Sequence, residues 1–337
     1  MNIDKNKIKK NFSNSHQYDS AISYHKITLE IITSDILDFI LKYYADNANS
    51  GYVKKLNILD AGCGTGNGLL YIKNKINKNY AGDFNFLYLG IDLALGALKR
   101  GKLKFKTNGI SNAHLCCSDC EDMPIKNKTI NIVFSNMVLH WLNKPIGFVK
   151  SVKNSLNLNN DNLFICSFLS EGTLKELNLC YDEYLSNDNT HSIMLHKFPD
   201  ANHIKNLLVS QGFIIEEFKI IEYKEYAETA LELLKKINII GAKNSINNTA
   251  GVNSLNHLIS RTDNTDNDNK FNENYEIKIN KNYDNKNNNK SLCSSKHSRY
   301  LILKKVLKDY ENKYTNIEKN VFASYNLAYI KAKINKH

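Results

Sequence analysis

A glycine-rich turn between an apolar run and a helical pattern constrains the fold of this chain more than any other feature. Residues Asp60–Gly66 read Asp-Ala-Gly-Cys-Gly-Thr-Gly and follow the apolar pair Ile58 and Leu59. Glycines at a strand-to-helix turn permit positive φ and let a ligand approach the backbone closely. A dinucleotide fingerprint would need a glycine where Asn67 stands, and no Lys-Ser/Thr pair follows for a phosphate-binding loop. The turn therefore predicts a ligand-binding strand-helix junction of another kind.

Short apolar runs alternate with helical patterns around this turn. The strand candidates are Leu56–Asp60, Phe86–Asp92, Ala113–Cys117, Ile130–Ser135 and Leu163–Phe168. The helix candidates between them are Asn67–Lys75, Ala94–Thr107 and Pro145–Leu156. Strands separated by helices build a parallel, doubly wound sheet. Two later candidates, Phe213–Tyr223 and Ala323–Ile334, can close one edge. We therefore predict a Rossmann-like α/β fold with seven mostly parallel strands and helices on both faces.

The ends of the chain add helices to this core. Apolar positions recur at roughly helical spacing over residues 5–45, which predicts an N-terminal helical cap over 1–45. The core with its substrate-lid helices is expected over 46–244. A helix near Arg299–Tyr310 and the closing strand are expected to form a final segment, 297–337.

An Asn-rich stretch, residues 245–296, interrupts this pattern. Eleven Asn fall within residues 264–289, and nothing there is periodic. Such sequence cannot bury enough apolar surface to offset its ordering entropy. We expect a disordered surface insertion, with a partner-binding arm as the alternative.

The charge balance indicates the kind of partner. The net charge is +11, and the 45 basic residues include three Arg, Arg100, Arg261 and Arg299. A lysine-rich surface favours an acidic partner, although an Asn- and Ile-rich chain can also record coding bias. Base-reading proteins rely on Arg forks and aromatic platforms, which this pattern lacks, so no nucleic-acid partner is expected.

Cysteine usage and hydropathy exclude several classes. The seven Cys are an odd count without a secretory signal, which argues against a disulfide framework. Cys117 and Cys120 form one CxxC without the second pair that zinc requires, so no metal is expected. No apolar run reaches membrane-spanning length. These observations predict a soluble, cytoplasmic protein.

An acid follows the second predicted strand. Asp92 ends the run Gly90-Ile91-Asp92, where a carboxylate can accept hydrogen bonds from both hydroxyls of a ribose. Together with the glycine turn, this acid indicates a nucleoside-binding site rather than a simple tight turn.

These motifs resemble class I S-adenosylmethionine-dependent methyltransferases. The resemblance rests on Asp60–Gly66, Asp92, Asp119 and the fourth-strand segment Asn131–Asn136, in which Asn131 replaces a usual acid. It implies S-adenosylmethionine as the cofactor and S-adenosylhomocysteine as its product. It also implies that the glycines carry the methionine half, that Asp92 holds the ribose and that Asp119 meets the adenine amino group. The implied cofactor-binding set is Asp60, Gly62, Gly64, Gly66, Asp92, Leu93, Asp119, Cys120 and Asn136.

Five further segments are similar to malonyl-[acyl-carrier protein] O-methyltransferases of biotin synthesis. They are Phe12–Asp19, Phe134–Trp141, Glu171–Leu177, Leu234–Ala242 and Ser324–Tyr329. This resemblance covers nearly the whole chain except 245–296. His25 and His140 depart from the family, which usually has Gln at these points. Leu-His-Trp at 139–141 also resembles assembly-factor-like homologues that act on a respiratory complex subunit, which is the runner-up.

The narrower resemblance implies a carboxyl O-methyltransferase that acts on malonyl-[acyl-carrier protein] or malonyl-coenzyme A. Tyr18 and His140 are the implied catalytic residues, which would orient the carboxyl group. The implied substrate-binding residues are Tyr18, His25, Trp141, Gly172, Thr173 and Arg299. Amides at Gly172 and Thr173, at the start of a helix, would face an anion. A carboxylate is already ionised near pH 7, so no strong general base is required.

The partner implied is an acidic carrier protein, and we expect the enzyme to be a monomer. Lys235, Lys236, Lys243 and Arg299 are candidates for a basic docking face. Each singled-out side chain also has a structural interpretation, since Tyr18, His140 and Trp141 would equally suit a packed core. A different small-molecule methyltransferase and a non-enzymatic binding module remain open alternatives.

Overall fold

The computed structural model describes residues 3–14, 23–47, 55–79, 85–159, 161–185, 197–239 and 304–335. Within these ranges the strands are β1 (Leu56–Ala61), β2 (Phe86–Asp92), β3 (Ala113–Cys117), β4 (Ile132–Asn136), β5 (Leu163–Leu169), β6 (Ile214–Ala227) and β7 (Val321–Lys333). The helices are α1 (Lys5–Asn14), α2 (Ser23–Asn47), α3 (Asn67–Asn79), α4 (Leu95–Thr107), α5 (Pro145–Ser155), α6 (Lys175–Leu185), α7 (Ala201–Ser210), α8 (Ala230–Ile239) and α9 (residues 304–313). A short 3-10 helix spans Leu139–Trp141.

The strands form one mixed sheet in the order β3-β2-β1-β4-β5-β7-β6. Strands β1 to β5 run parallel, whereas β7 runs antiparallel to both β5 and β6. The chain builds outward from β1 to β3 and then returns to the other side of β1 for β4. In open α/β sheets, ligands bind at the carboxyl ends of the strands beside such a reversal. The topology therefore predicts a ligand-binding site at the carboxyl ends of β1, β2 and β4.

Helix α2 shows how the apolar pattern anchors a helix to this sheet. Ile32, Ile36 and Ile40 recur every four residues and are fully buried, so one face of the helix packs against the strands. Full burial of an aliphatic side chain contributes about 2 kcal/mol. At the same interface, the hydroxyl of Tyr329 and the ammonium of Lys331 both donate to the carboxylate of Asp35. These contacts fix α2 across the sheet and bring its first turn to the end of β4.

The core of the described part of the chain consists of three apolar clusters. One lies between the sheet and helices α2 and α3, and a second lies on the opposite face with α5 and α7. The third joins α6, α8 and α9 to the early part of β7. Helices thus cover both faces of the sheet, as the alternating pattern predicts.

The sequence-based predictions of the strands are confirmed, with small shifts in their ends. Strand β4 starts at Ile132 instead of Ile130, and β6 continues to Ala227 instead of Tyr223. Strand β6 is longer because it pairs along most of β7, a partner that lies far away in sequence. The expected helix over 5–45 corresponds to α1 and α2, and residues 15–22 between them lie outside the described residues. The four-part division of the chain remains a prediction, and the insertion 245–296 lies outside the described residues.

Candidate cofactor and active site

The glycine turn after β1 is a compact loop in which glycine conformations are required. Gly62, Gly64 and Gly66 have φ values of +85°, +54° and +75°. The amides of Gly62 and Cys63 both donate to the carbonyl of Ile91, at 2.7 and 2.9 Å. A Cβ at Gly62 would overlap the side chain of Val138, and one at Gly66 would overlap Phe105, whereas one at Gly64 would meet nothing within 4 Å. The turn is therefore packed behind Gly62 and Gly66 and open at Gly64.

The carboxylate of Asp92 is fixed by backbone amides from two elements. The amide of Gly64 donates to Oδ2 at 2.8 Å, and the amide of Ala94 donates to Oδ1 at 2.7 Å. Burial raises the pKa of Asp92 above its ordinary value, although both amide hydrogen bonds act in the opposite direction. Each carboxylate oxygen keeps further acceptor capacity, so this side chain can accept from two hydroxyls of one ligand.

Asp60 is the most deeply buried acid of the site, with 3% of its side chain exposed. The hydroxyl of Tyr88 donates to its Oδ2 at 2.5 Å. Burial raises the pKa of Asp60 to about 7, against a lowering by the Tyr88 hydrogen bond and with a smaller rise from the nearby charge of Asp92. Asp60 therefore titrates in the neutral range when no positive charge lies beside it.

Asp119 lies beyond the end of β3 and is engaged by the N-terminal helix. The ammonium of Lys5 forms ion pairs with Asp119 and Glu121. Burial alone would lower the pKa of Lys5, but its hydrogen bonds to the two carboxylates prevail and raise it. Cys120, between the two acids, is buried, and burial raises the pKa of its thiol. The thiol is therefore neutral and serves as a wall of the site.

Asn136 connects the end of β4 to the first turn of α2. Its Oδ1 accepts from the hydroxyls of Ser167 at 2.6 Å and Thr28 at 2.8 Å, and its Nδ2 donates to the carbonyl of His25 at 3.3 Å. These bonds fix the backbone of His25 beside the end of the sheet.

A cavity of about 340 Å³ opens between these groups. It is lined by Asp60, Gly62, Gly64, Asp92, Leu93, Asp119, Cys120, Asn136, His25 and Trp141. Gly66 lies in the same turn without lining the cavity. The sequence-predicted cofactor residues thus converge on one space, whose size suits a small ligand.

Helix α1 covers part of this cavity and is held at both ends. At its C-terminal end, the guanidinium of Arg100 donates to the carbonyls of Ser13 at 2.7 Å and Phe12 at 2.9 Å. Before its N-terminal end, Ile3 exchanges two hydrogen bonds with the side chain of Asn143. Phe12 packs edge-on against Trp141, with ring centroids 5.7 Å apart. Helix α1 is therefore a clamped cover of the site.

The structure separates His140 from the cavity. His140 is buried, and its Nδ1 accepts from the amide of Leu169 at 3.3 Å. It does not line the cavity, whereas its neighbour Trp141 does. The observed position supports the packed-core interpretation of His140 more than a direct contact with substrate.

Gly172 and Thr173 also lie away from the cavity lining. The amide of Thr173 donates to the carbonyl of Ser170 at 3.1 Å, and the amide of Leu174 donates to the carbonyl of Ser324 at 2.7 Å. The expectation that backbone amides here face an anion is wrong for Thr173, because its amide already has a partner. A Cβ at Gly172 would overlap Asn326, so this glycine permits the turn to pack on β7.

Two predicted site residues, Tyr18 and Arg299, lie outside the described residues. Sequence reasoning missed four side chains that shape the site, namely Lys5, Tyr88, Arg100 and Glu121. Their signal was absent because each acts through a partner distant in sequence. Among the described residues, no group of three or more His, Cys, Asp or Glu could hold a metal ion. No described helix has the length and apolar character needed to cross a bilayer.

The sheet order is that of the Rossmann-like class I methyltransferase fold, and residues 58–158 match the family described as a methyltransferase domain. The matched residues form a methyltransferase domain, and S-adenosylmethionine is its cofactor. The open Gly64 position and the two-acceptor carboxylate of Asp92 fit a ligand that carries a ribose.

Three curated relatives of this chain are named malonyl-[acyl-carrier protein] O-methyltransferase. The chain is 27% identical over 195 residues to the malonyl-[acyl-carrier protein] O-methyltransferase of Methylovorus sp. (strain MP688). This alignment covers 56% of this chain and 60% of that protein. It is 27% identical over 257 residues to the protein of that name from Gallionella capsiferriformans (74% and 78% covered). It is 28% identical over 254 residues to the one from Acetivibrio thermocellus (72% and 80% covered).

A solved structure of a SAM-dependent methyltransferase from Aquifex aeolicus is 14% identical, with a TM-score of 0.38, and covers 64% of this chain and 91% of that one. The alignment with the Methylovorus protein spans less than two thirds of that protein's length.

Proposed function

We propose that this chain transfers the methyl group of S-adenosylmethionine to the free carboxyl group of a malonyl thioester, which yields its methyl ester. The observation that carries the proposal is one cavity in which the glycine turn, Asp92, Asp119 and the end of β4 converge. Its relatives named malonyl-[acyl-carrier protein] O-methyltransferase support the choice of substrate.

The cavity residues would hold the cofactor in a fixed orientation. Asp92 would accept hydrogen bonds from the ribose hydroxyls, and Asp119 would accept from the adenine amino group. The open backbone at Gly64 would let the ligand approach the turn. When bound, the cofactor supplies an electrophilic methyl group on a sulfonium. A positive charge near Asp60 would favour its ionised form and lower its pKa from about 7.

The acceptor carboxylate needs orientation rather than activation. Because it is ionised near pH 7, the chain has to hold one oxygen about 3–3.5 Å from the reacting carbon and exclude water. Asn136, His25 and Trp141 line the cavity beside the end of β4 and are the described candidates for this task. We assign His140 to support of the turn that carries Trp141, since their rings are 5.1 Å apart. Tyr18 remains a predicted contact to the carboxyl group.

The malonyl thioester is proposed to be attached to an acidic carrier protein, with malonyl-coenzyme A as the alternative. Esterification removes the negative charge of the acyl chain. The neutral chain can then enter an apolar site that would reject a buried anion.

Transfer of labelled methyl groups tests the proposal. Purified enzyme is mixed with methyl-labelled S-adenosylmethionine and malonyl-carrier protein, with acetyl-carrier protein as the matched control that lacks a free carboxyl group. We expect label on the malonyl form only, and mild base should release it because methyl esters hydrolyse readily. Absence of transfer at stoichiometric enzyme that binds the cofactor would contradict the proposal.

A further inference from the structure

Helix α4 carries an unusual concentration of positive charge. Its thirteen residues include five cationic side chains and no acidic one, namely Lys99, Arg100, Lys102, Lys104 and Lys106. Two of these work within the fold. Arg100 holds the end of α1, and the ammonium of Lys104 donates to Thr65 at 3.0 Å and Asn67 at 2.6 Å. The other three are exposed and need another explanation.

The exposed side chains of α4 form one face of the helix. Leu95, Lys99, Lys102, Leu103 and Lys106, here called the α4 stripe, recur at intervals of three and four residues, the spacing that aligns side chains on a helix. Leu95 is 46% exposed and Leu103 is 63% exposed. Leucines exposed between lysines give the stripe an apolar component within a positive surround, the composition of an interface core and its rim.

Neighbouring helices extend the positive surface. Helix α1 packs on α4, where the amide of Gly96 donates to Ser13 at 3.2 Å. Helices α1 and α3 carry four and three Lys and no acid. Among the described residues, Lys9, Lys10, Lys99, Lys102 and Lys106 form no ion pair. These five lysines therefore offer unneutralised positive charge.

Coding bias toward lysine does not account for this arrangement. The chain has 34 acidic residues among 337, yet none falls in α1, α3 or α4. By contrast, Ile214–Ile239 contains six Glu, and Lys236 there pairs with Glu225 at 3.3 Å. Lys235 and Lys236, which the sequence suggested for a docking face, thus lie in acidic surroundings. The segregation of charge favours a selected surface on α4.

The α4 stripe begins at the rim of the candidate site. Helix α4 starts three residues after Asp92, and Ala97 and Arg100 of the same helix line the cavity. A partner bound along the stripe would therefore lie beside the space where the cofactor and acceptor meet. This relation distinguishes the stripe from a surface that only improves solubility.

We propose that the α4 stripe is the docking surface for an acidic protein that presents carboxylates around an apolar spot. The assignment rests on the proposed function, in which this partner is the carrier protein that delivers the malonyl group. Lys99, Lys102 and Lys106 steer the encounter through charge complementarity, and Leu95 and Leu103 supply the apolar contact. The stripe therefore determines how well the carrier-bound substrate is used, and leaves the chemistry of the cavity unchanged.

A charge-reversal variant tests this surface. The variant combines Lys99→Glu, Lys102→Glu and Lys106→Glu. The matched control combines Lys55→Glu, Lys126→Glu and Lys150→Glu, three exposed lysines that precede β1, precede β4 and lie on α5. Methyl transfer is measured with malonyl-carrier protein and with S-malonyl-pantetheine, which lacks both protein and phosphate. We expect kcat/KM for the carrier substrate to fall about tenfold or more at low salt, with no change for the small thioester or in the control variant.

Equal losses for both substrates, or an unchanged value for the carrier, would overturn the docking surface. Direct binding of the unacylated carrier to wild type and variant separates this proposal from the proposed function, because it needs no methyl transfer. Binding that the α4 variant loses supports the surface even if wild type forms no ester. Tighter binding of single-stranded RNA than of the carrier, with the same sensitivity to charge reversal, would overturn the assignment to an acidic protein.

Discussion

The amide of Gly64 donates to the carboxylate of Asp92 across 2.8 Å, so the turn after β1 and the acid after β2 form one structural unit. The parallel pairing of β1 with β2, in which Asp60 lies beside Gly90, brings the two strand ends together. The amide of Ala94 holds the second oxygen of the same carboxylate. The acceptor that would face a ribose is thus oriented before any ligand arrives, which lowers the entropic cost of binding.

Alanine at two glycines of the turn should have different consequences. In Gly64→Ala the methyl group meets nothing within 4 Å, so the protein should lose only about 1–2 kcal/mol from its left-handed backbone. The added group would, however, occupy space beside the cavity and weaken binding of S-adenosylhomocysteine. In Gly66→Ala the methyl group would overlap Phe105, which should cost another 1–3 kcal/mol or so. Urea unfolding and calorimetric binding measure both effects, and equal stabilities would contradict this account.

Asp60 should make the stability of the ligand-free protein depend on pH. Burial holds its folded pKa at about 7, above the ordinary aspartate value of 3.8. Between these values the folded state binds a proton that the unfolded state has released. The free energy of unfolding should therefore fall as pH rises from about 4 to about 7 and level off above that range. At about 1.4 kcal/mol per pKa unit, the fall is several kcal/mol at most.

Asp60→Asn isolates this contribution. The amide oxygen can still accept from Tyr88, but the side chain does not titrate. The difference in unfolding free energy between wild type and variant should change between pH 5 and pH 7.5, with the wild type losing more. A difference that stays constant across this range would show that Asp60 titrates normally.

Lys5 should slow the release of the cofactor product. Its ion pairs with Asp119 and Glu121 hold the start of α1 over the cavity. These partly exposed pairs are worth about 1 kcal/mol, so Lys5→Ala should speed dissociation of S-adenosylhomocysteine about fivefold in stopped-flow measurements. Lys5→Arg should restore most of the slow release because it keeps the charge. Identical dissociation rates in wild type and Lys5→Ala would rule out the cover function of this contact.

Tyr325→Phe should stabilise the ligand-free protein. The Tyr325 side chain is 1% exposed, and its hydroxyl has no hydrogen-bond partner among the described residues. A buried unsatisfied hydroxyl costs about 1–3 kcal/mol, so its removal should raise the free energy of unfolding by about 1 kcal/mol. Tyr310→Phe is the control, since its hydroxyl donates to the carbonyl of Phe322 at 2.6 Å. Chemical denaturation should show a loss in that variant, and a similar loss in Tyr325→Phe would contradict the prediction.

The sheet could be predicted from the sequence because its signals are local. Apolar runs of five to seven residues mark β1 to β5, and helical spacing marks the crossovers. The full length of β6 could not be predicted, since its last residues are ordered by pairing with β7, about a hundred positions later. Local propensity contains no information about such a partner.

The candidate site divides in the same way. The glycine turn and Asp92 can be predicted from their spacing in the sequence, and the structure places them side by side. The roles of Lys5 and Arg100 cannot be predicted in this way, because their partners lie 114 and 87 residues away. In the sequence, Lys5 is also indistinguishable from the other three lysines of α1. The sequence does not reveal that the Thr173 amide donates to the carbonyl of Ser170, because this hydrogen bond depends on how the turn after β5 folds.

Calorimetric titration with S-adenosylhomocysteine tests the central claim most directly. Wild type should bind, and Asp92→Ala should bind about a hundredfold more weakly, because two charge-assisted hydrogen bonds are lost. Asp38→Ala removes an exposed acid on α2 and should bind like wild type. Equal affinity in Asp92→Ala, or no binding to folded wild type, would contradict the assignment of this cavity to the cofactor.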